Sequence, residues 1–193
     1  MSGVDIATLH RRALEATRRY VAGVTDVQWQ SPTPCEGWTV HDLLNHIVAG
    51  NLWAAELGSG RTIADVGSAL DGDMLGTDPV GAYDRSATLA AAVFEAPGAL
   101  DNPCAVSYGP VPGSIYAGHR FIDVLVHGWD LATATGQPTD LDPQLVDACW
   151  EVLRPQLAPL QSSGAFGVAG TVDVDDSPQQ SLLSALGRSG PSE

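Results

Sequence analysis

GSIYAGHRFIDVLVHGWDLATATG, residues Gly113 to Gly136, reads as one long, mostly apolar helix. Phe121, Ile122, Val124, Leu125, Val126, Trp129 and Leu131 cover nearly every direction around its axis. A helix that is apolar all round is a buried one. Pro112, Gly113 and Ser114 mark its start, and Gly136 is a C′ stop. Asp123 and His127 sit inside the apolar run, one turn apart, so both side chains point the same way. Burying a carboxylate and an imidazole in apolar surroundings is costly unless something compensates. A divalent metal ion shared by both is one compensation; a simple Asp–His hydrogen bond is another.

Working outward, the next firm signal is Trp38-Thr39-Val40-His41-Asp42-Leu43. Thr39 is an N-cap with Asp42 at the third helical position, a capping-box pair, and Trp38 and Leu43 match a hydrophobic staple. The helix runs on to about Leu57 with Val40, Leu43, Leu44, Ile47 and Val48 as its core stripe, and His46 lies beside that stripe. Asp42, one turn before His46, is placed to hold the imidazole tautomer. His41 is expected to face water.

Three more helices are expected from residues 4–22, 80–95 and 142–154. The first carries a stripe of Ile6, Leu9, Leu14, Thr17, Tyr20 and Val21, with Arg11, Arg12, Arg18 and Arg19 on a solvated face. The second is expected to turn Tyr83, Leu89, Val93 and Phe94 inward. The third starts at Asp142-Pro143, an N-cap followed by proline at N1, and holds Leu145, Val146, Cys149, Trp150 and Leu153. Residues 58–79 read as a long connection with a short helical turn, and 102–112 as an irregular or short extended stretch. Beyond residue 159, an extended piece at Thr171–Val174 and a short helix from Ser177 to Leu186 are expected. This is an all-α chain: a four-helix bundle over about 4–158 with an additional C-terminal helical and extended tail, in one domain spanning 1–193.

Composition excludes whole classes of partner. A formal charge of −14 with only 9 Lys and Arg argues against nucleic acid or anionic lipid, because phosphates are held by cationic side chains. No apolar run reaches membrane-spanning length. The 3 cysteines (Cys35, Cys104 and Cys149) form no CxxC, and the N-terminus lacks an apolar signal core, so a reduced, cytoplasmic protein is expected.

His46 from one helix with Asp123 and His127 from another would supply three ligands and leave one position open, the pattern of a catalytic zinc-type site. The HxxxDxxxH spacing also admits His119. Cys35 lies just before the His46 helix, close enough in sequence to approach the site, although a small buried apolar role is the expected one.

The segments TPCEGWTVHDLLNHIVAGN and GHRFIDVLVHGWDLATATG, with the closing LLSALGR, resemble the actinobacterial proteins related to mycothiol-dependent maleylpyruvate isomerase, within the DinB-like four-helix-bundle superfamily. By motif, the resemblance implies a metal site at His46, Asp123 and His127. The isomerase has Glu where this chain has Asp123, one methylene shorter. The resemblance implies a divalent ion, zinc first and Ni2+, Mn2+ or Fe2+ as alternatives. It also implies mycothiol or a similar thiol as cosubstrate, and an S-transferase or isomerase acting on a small electrophile. A hydrolase using bound water and a non-enzymatic metal- or ligand-binding bundle are the other readings. A monomer or homodimer is expected.

Overall fold

The computed structural model of the chain describes residues 5–157 and 176–188. In chain order it has α1 (Ile6–Ala22), α2 (Val40–Gly58), α3 (Ile63–Val66), α4 (Pro79–Glu95), β1 (Pro103–Val106), β2 (Gly109–Pro112), α5 (Gly113–Thr135), α6 (Pro143–Leu153) and α7 (Pro178–Ala185). The expected piece at Thr171–Val174 lies outside the described residues.

Four of these helices form the bundle. α1 packs against α4 and α5, and α2 packs against the same two, so α1 and α2 occupy opposite corners. α6 lies outside, against α5 and α1, and α7 packs on α6. The central position of α5 follows from its sequence: Phe121, Ile122, Val124, Leu125, Val126, Trp129, Leu131 and Ala132 are all buried. Fully burying a side chain of the Leu or Phe class contributes about 1.5–3 kcal/mol, so this one helix anchors much of the core.

The ends of the helices follow local chemistry. Thr39 and Asp42 form the expected reciprocal capping box at α2. Asp142 caps α6 with Pro143 behind it, and Ser177 caps α7. Gly136 closes α5 in the left-handed region at φ 67°, where a side chain would be strained. The stretch expected to be irregular or short and extended is a β1–β2 antiparallel hairpin, with Cys104 opposite Val111. It feeds straight into α5. The amide of Gly113 bonds Asn102 at 2.8 Å, and a Cβ there would meet the Ala99 carbonyl oxygen.

Leu89 departs from expectation. It is 51% exposed, not inward. The buried stripe of α4 runs through Tyr83, Ser86, Ala90 and Phe94, and Leu89 stands roughly 100° round the axis from it. The four arginines of α1 do sit on the outside, where Arg11 pairs with Glu95, Arg18 with Asp84, and Arg12 with Asp142 at 2.8 Å. Exposed pairs of this kind add little to stability. Among the described residues no helix is long and apolar enough to cross a membrane.

Candidate metal centre

The packing of α2 against α5 brings His46, Asp123 and His127 together. His46 Nε2 lies 3.4 Å from Asp123 Oδ1, and His127 Nε2 lies 3.6 Å from the same oxygen. One donor atom from each of the three falls within 4.8 Å of the others. The two imidazoles meet edge to face, with ring centroids 4.9 Å apart. Tetrahedral ligands about 2.1 Å from a zinc-type ion stand roughly 3.4 Å from one another, so this donor set fits such an ion. Two nitrogens and one oxygen also match the ligand chemistry of zinc.

Exposure is graded across the trio. The His127 side chain is 8% exposed, Asp123 18% and His46 37%, so the site opens to solvent on the His46 side. Trp38 walls it, with ring centroids 4.9 Å from His46 and 6.0 Å from His127.

Behind His127 stands a polar relay. Its Nδ1–H donates to Asp130 Oδ2 at 2.9 Å, which turns Nε2 toward Asp123 and His46. Asp130 is fully buried and is gripped by Arg188, Nη2 to Oδ2 at 2.8 Å and Nε to Oδ1 at 3.2 Å. Cys35 Sγ–H donates to Asp130 Oδ2 at 3.3 Å. A carboxylate behind a histidine is the usual way that a ligating ring is oriented.

The electrostatics agree with a cation-holding pocket. Burial alone would push His127 down, but the carboxylates of Asp123 and Asp130 outweigh it and raise its pKa to about 10. Burial would likewise raise Asp123, yet Arg120, His127 and His46 hold its carboxyl well below the usual range. Asp130 is also lowered, because bonds from His127 and Arg188 overcome its burial. The same two carboxylates that favour a charged imidazole would favour a cation bound at Nε2 in place of its proton.

Several expectations need adjustment. Asp42 does not hold His46; its carboxylate is taken by the Thr39 amide and hydroxyl, at 3.0 and 2.7 Å. His119 is hydrogen-bonded at 2.6 Å to Tyr108 of the hairpin turn and is not among the converging donors. Cys35 is half-buried and hydrogen-bonded, not simply an apolar filler. Sequence reasoning passed over Arg120 and Arg188. The i,i+3 spacing of Arg120 and Asp123 was a readable signal; the approach of Arg188, 58 residues from Asp130, was not.

The family model of the mycothiol maleylpyruvate isomerase N-terminal domain matches residues 10–132, a span that holds His46, Asp123 and His127. The chain belongs to that family. Two uncharacterised proteins of Mycobacterium tuberculosis, from strains CDC 1551 / Oshkosh and ATCC 25618 / H37Rv, are 38% identical to it over 146 residues, 74% of this chain and 74% of theirs. The crystal structure of the mycothiol-dependent maleylpyruvate isomerase superposes with a TM-score of 0.62 at 16% identity, covering 84% of this chain and 72% of that one. A variant of the isomerase with a histidine replaced by alanine gives the same values. At that identity the likeness is one of fold, the DinB-like helical bundle that this family member shares with the isomerase.

Proposed function

We propose that this family member holds a divalent metal ion, zinc by ligand preference, through His46, Asp123 and His127. We further propose that it activates a low-molecular-weight thiol, mycothiol or one like it, for reaction with a small electrophile. The observation that carries the reading is the approach of two imidazole nitrogens to one carboxylate oxygen, at 3.4 and 3.6 Å, on the side that opens to solvent. A bound cation of this kind lowers the pKa of a protic group that enters its free position.

The chain's own residues favour an anionic partner there. Asp123 is matched by Arg120, and Asp130 by Arg188, so the two carboxylates are already balanced. A dication then leaves the pocket with excess positive charge, which a thiolate would relieve. Trp38 shields one wall from water, and His46 lines the entrance. Asp130 keeps the proton of His127 on Nδ1 and away from the donors. The structural neighbour is a mycothiol-dependent isomerase, which favours isomerisation with a thiol here: addition, bond rotation and departure of the same thiol, with no net consumption. Stable addition to an electrophile would be the transferase outcome.

The test is elemental analysis of tag-free protein, followed by a thiol-dependent assay on activated alkenes, epoxides and halides. About one divalent ion per chain and turnover that needs both ion and thiol are expected. Protein that binds no ion would overturn the metal reading. Ion-dependent turnover without thiol would replace it with hydrolysis.

A further inference from the structure

We infer that Arg120 is a positioning residue that restricts Asp123 to one donor oxygen, an inference that rests on the metal reading above. The two oxygens of Asp123 face different partners. Oδ1 looks toward His46 and His127, while Oδ2 lies 3.0 Å from Arg120 Nη1, one turn earlier on α5. A free carboxylate can grip one ion through both oxygens, whereas a carboxylate with one oxygen paired to a guanidinium charge offers the other.

The surroundings indicate that Arg120 serves Asp123 and little else. The residue is 8% exposed, its Nε and Nη2 are buried without a hydrogen-bond partner among the described residues, and its Nη1 meets Asp123 Oδ2 as an ion pair without hydrogen-bond geometry. A guanidinium is costly to bury, and the Asp123 carboxylate is what offsets that cost here. Room is made for it on the facing helix. At Gly50 of α2, an added Cβ would fall 2.5–2.7 Å from three atoms of the guanidinium. Glycine inside a helix is unfavourable relative to alanine, so α2 gives up stability at the point where Arg120 passes. The consequence is chemical. With Asp123 confined to one bond, three protein donors occupy three positions and the fourth stays available to the small molecule.

The experiment is cobalt(II) substitution of tag-free protein, read by visible absorption and not by activity. Wild type should show the intense bands of a four-coordinate ion. Arg120→Gln frees Oδ2, so the coordination number rises and the absorptivity falls on the order of twofold. Gly50→Ala retains the arginine but displaces its guanidinium and should cause the same loss. Arg120→Lys, which keeps the charge, should restore most of the wild-type spectrum. Unchanged spectra in both Arg120→Gln and Gly50→Ala would overturn the inference and leave the metal reading standing. Wild type that takes up no cobalt would overturn both. A zinc-loaded wild-type crystal with both Asp123 oxygens bonded to the ion would overturn the inference without any variant, including where a variant fails to fold.

Discussion

His127 and Asp130 lie one turn apart on α5, and the 2.9 Å bond between Nδ1 and Oδ2 gives the two nitrogens of the ring separate tasks. One is tied to a buried carboxylate. The other faces Asp123 across 3.6 Å. The orientation of the proposed ligand therefore depends on a residue that never touches the ion.

Removing either partner should be visible in metal retention. His127→Ala deletes a donor, and the purified protein should lose its ion; stoichiometric metal in that variant would remove the residue from the site. Asp130→Asn keeps the shape but replaces a pure acceptor with an amide. Loss of an orienting carboxylate typically lowers metal affinity 10–100-fold, and a drop of about that size is expected in competition with a chromophoric chelator. An unchanged affinity would show that Asp130 only fills space.

Arg188 is the far end of the same relay, and its loss should be felt mainly as instability. Its guanidinium grips both oxygens of Asp130 in the protein interior. Arg188→Ala would leave that carboxylate buried beside His127 and Cys35 with no arginine. Breaking a buried pair on one side costs about 3–5 kcal/mol, and urea unfolding should show a loss of that order. Arg188→Lys retains charge without the two-pronged geometry and should recover part of it. A variant as stable as wild type would mean that Asp130 does not need this partner.

What the sequence revealed and what it hid divides along range. The helices announced themselves through the all-apolar surface of Phe121 to Leu131, the Thr39–Asp42 box and the Asp142-Pro143 start, all local signals. Asp123 and His127 stood out because two ionisable groups in such a run need a reason. Their meeting with His46 depends on how α2 lies against α5, which no spacing encodes. Asp42 misled because a carboxylate one turn before a histidine has two possible uses, and the helix start took it. Leu89 misled because an apolar residue on a helix with an alanine-rich core face need not be on that face.

The crossing of α1 and α5 should be intolerant of added bulk. A Cβ at Gly128 would come within 2.4 Å of the Thr17 hydroxyl oxygen and 3.3 Å of its Cβ. That hydroxyl donates to the Val124 carbonyl at 3.1 Å. Gly128→Ala must shift the threonine or the helix, and overpacking of this kind costs about 1–3 kcal/mol. In combination with Thr17→Ala the contact with the hydroxyl is removed and only the tight one with Cβ is left, so the double variant should be less destabilised than the sum of the singles. Additive losses would show that the two helices do not meet this closely.

Acid should destabilise the protein through His10. The residue is fully buried on α1 against Phe94, and neither ring nitrogen has a hydrogen-bond partner among the described residues. Burial, helped by the positive charge of Arg120 and only partly opposed by Asp123, pushes its pKa down from 6.5 to about 3. The unfolded chain thus takes up a proton near pH 6.5 that the folded protein refuses until about pH 3. Between those values the unfolded state binds more protons through this group, so the penalty from His10 is absent above pH 6.5 and grows as the pH is lowered through this window. The lowered carboxyls of Asp123 and Asp130 act in the same direction, each losing its contribution below the normal carboxylate pKa. Denaturant titrations from pH 7 to 3 on wild type and His10→Leu separate these effects. The variant should lose up to about one proton's worth of the slope of stability against pH between roughly pH 6 and 4, while the steeper acid loss below that remains. Equal slopes in both proteins would mean that His10 is already charged in the folded state.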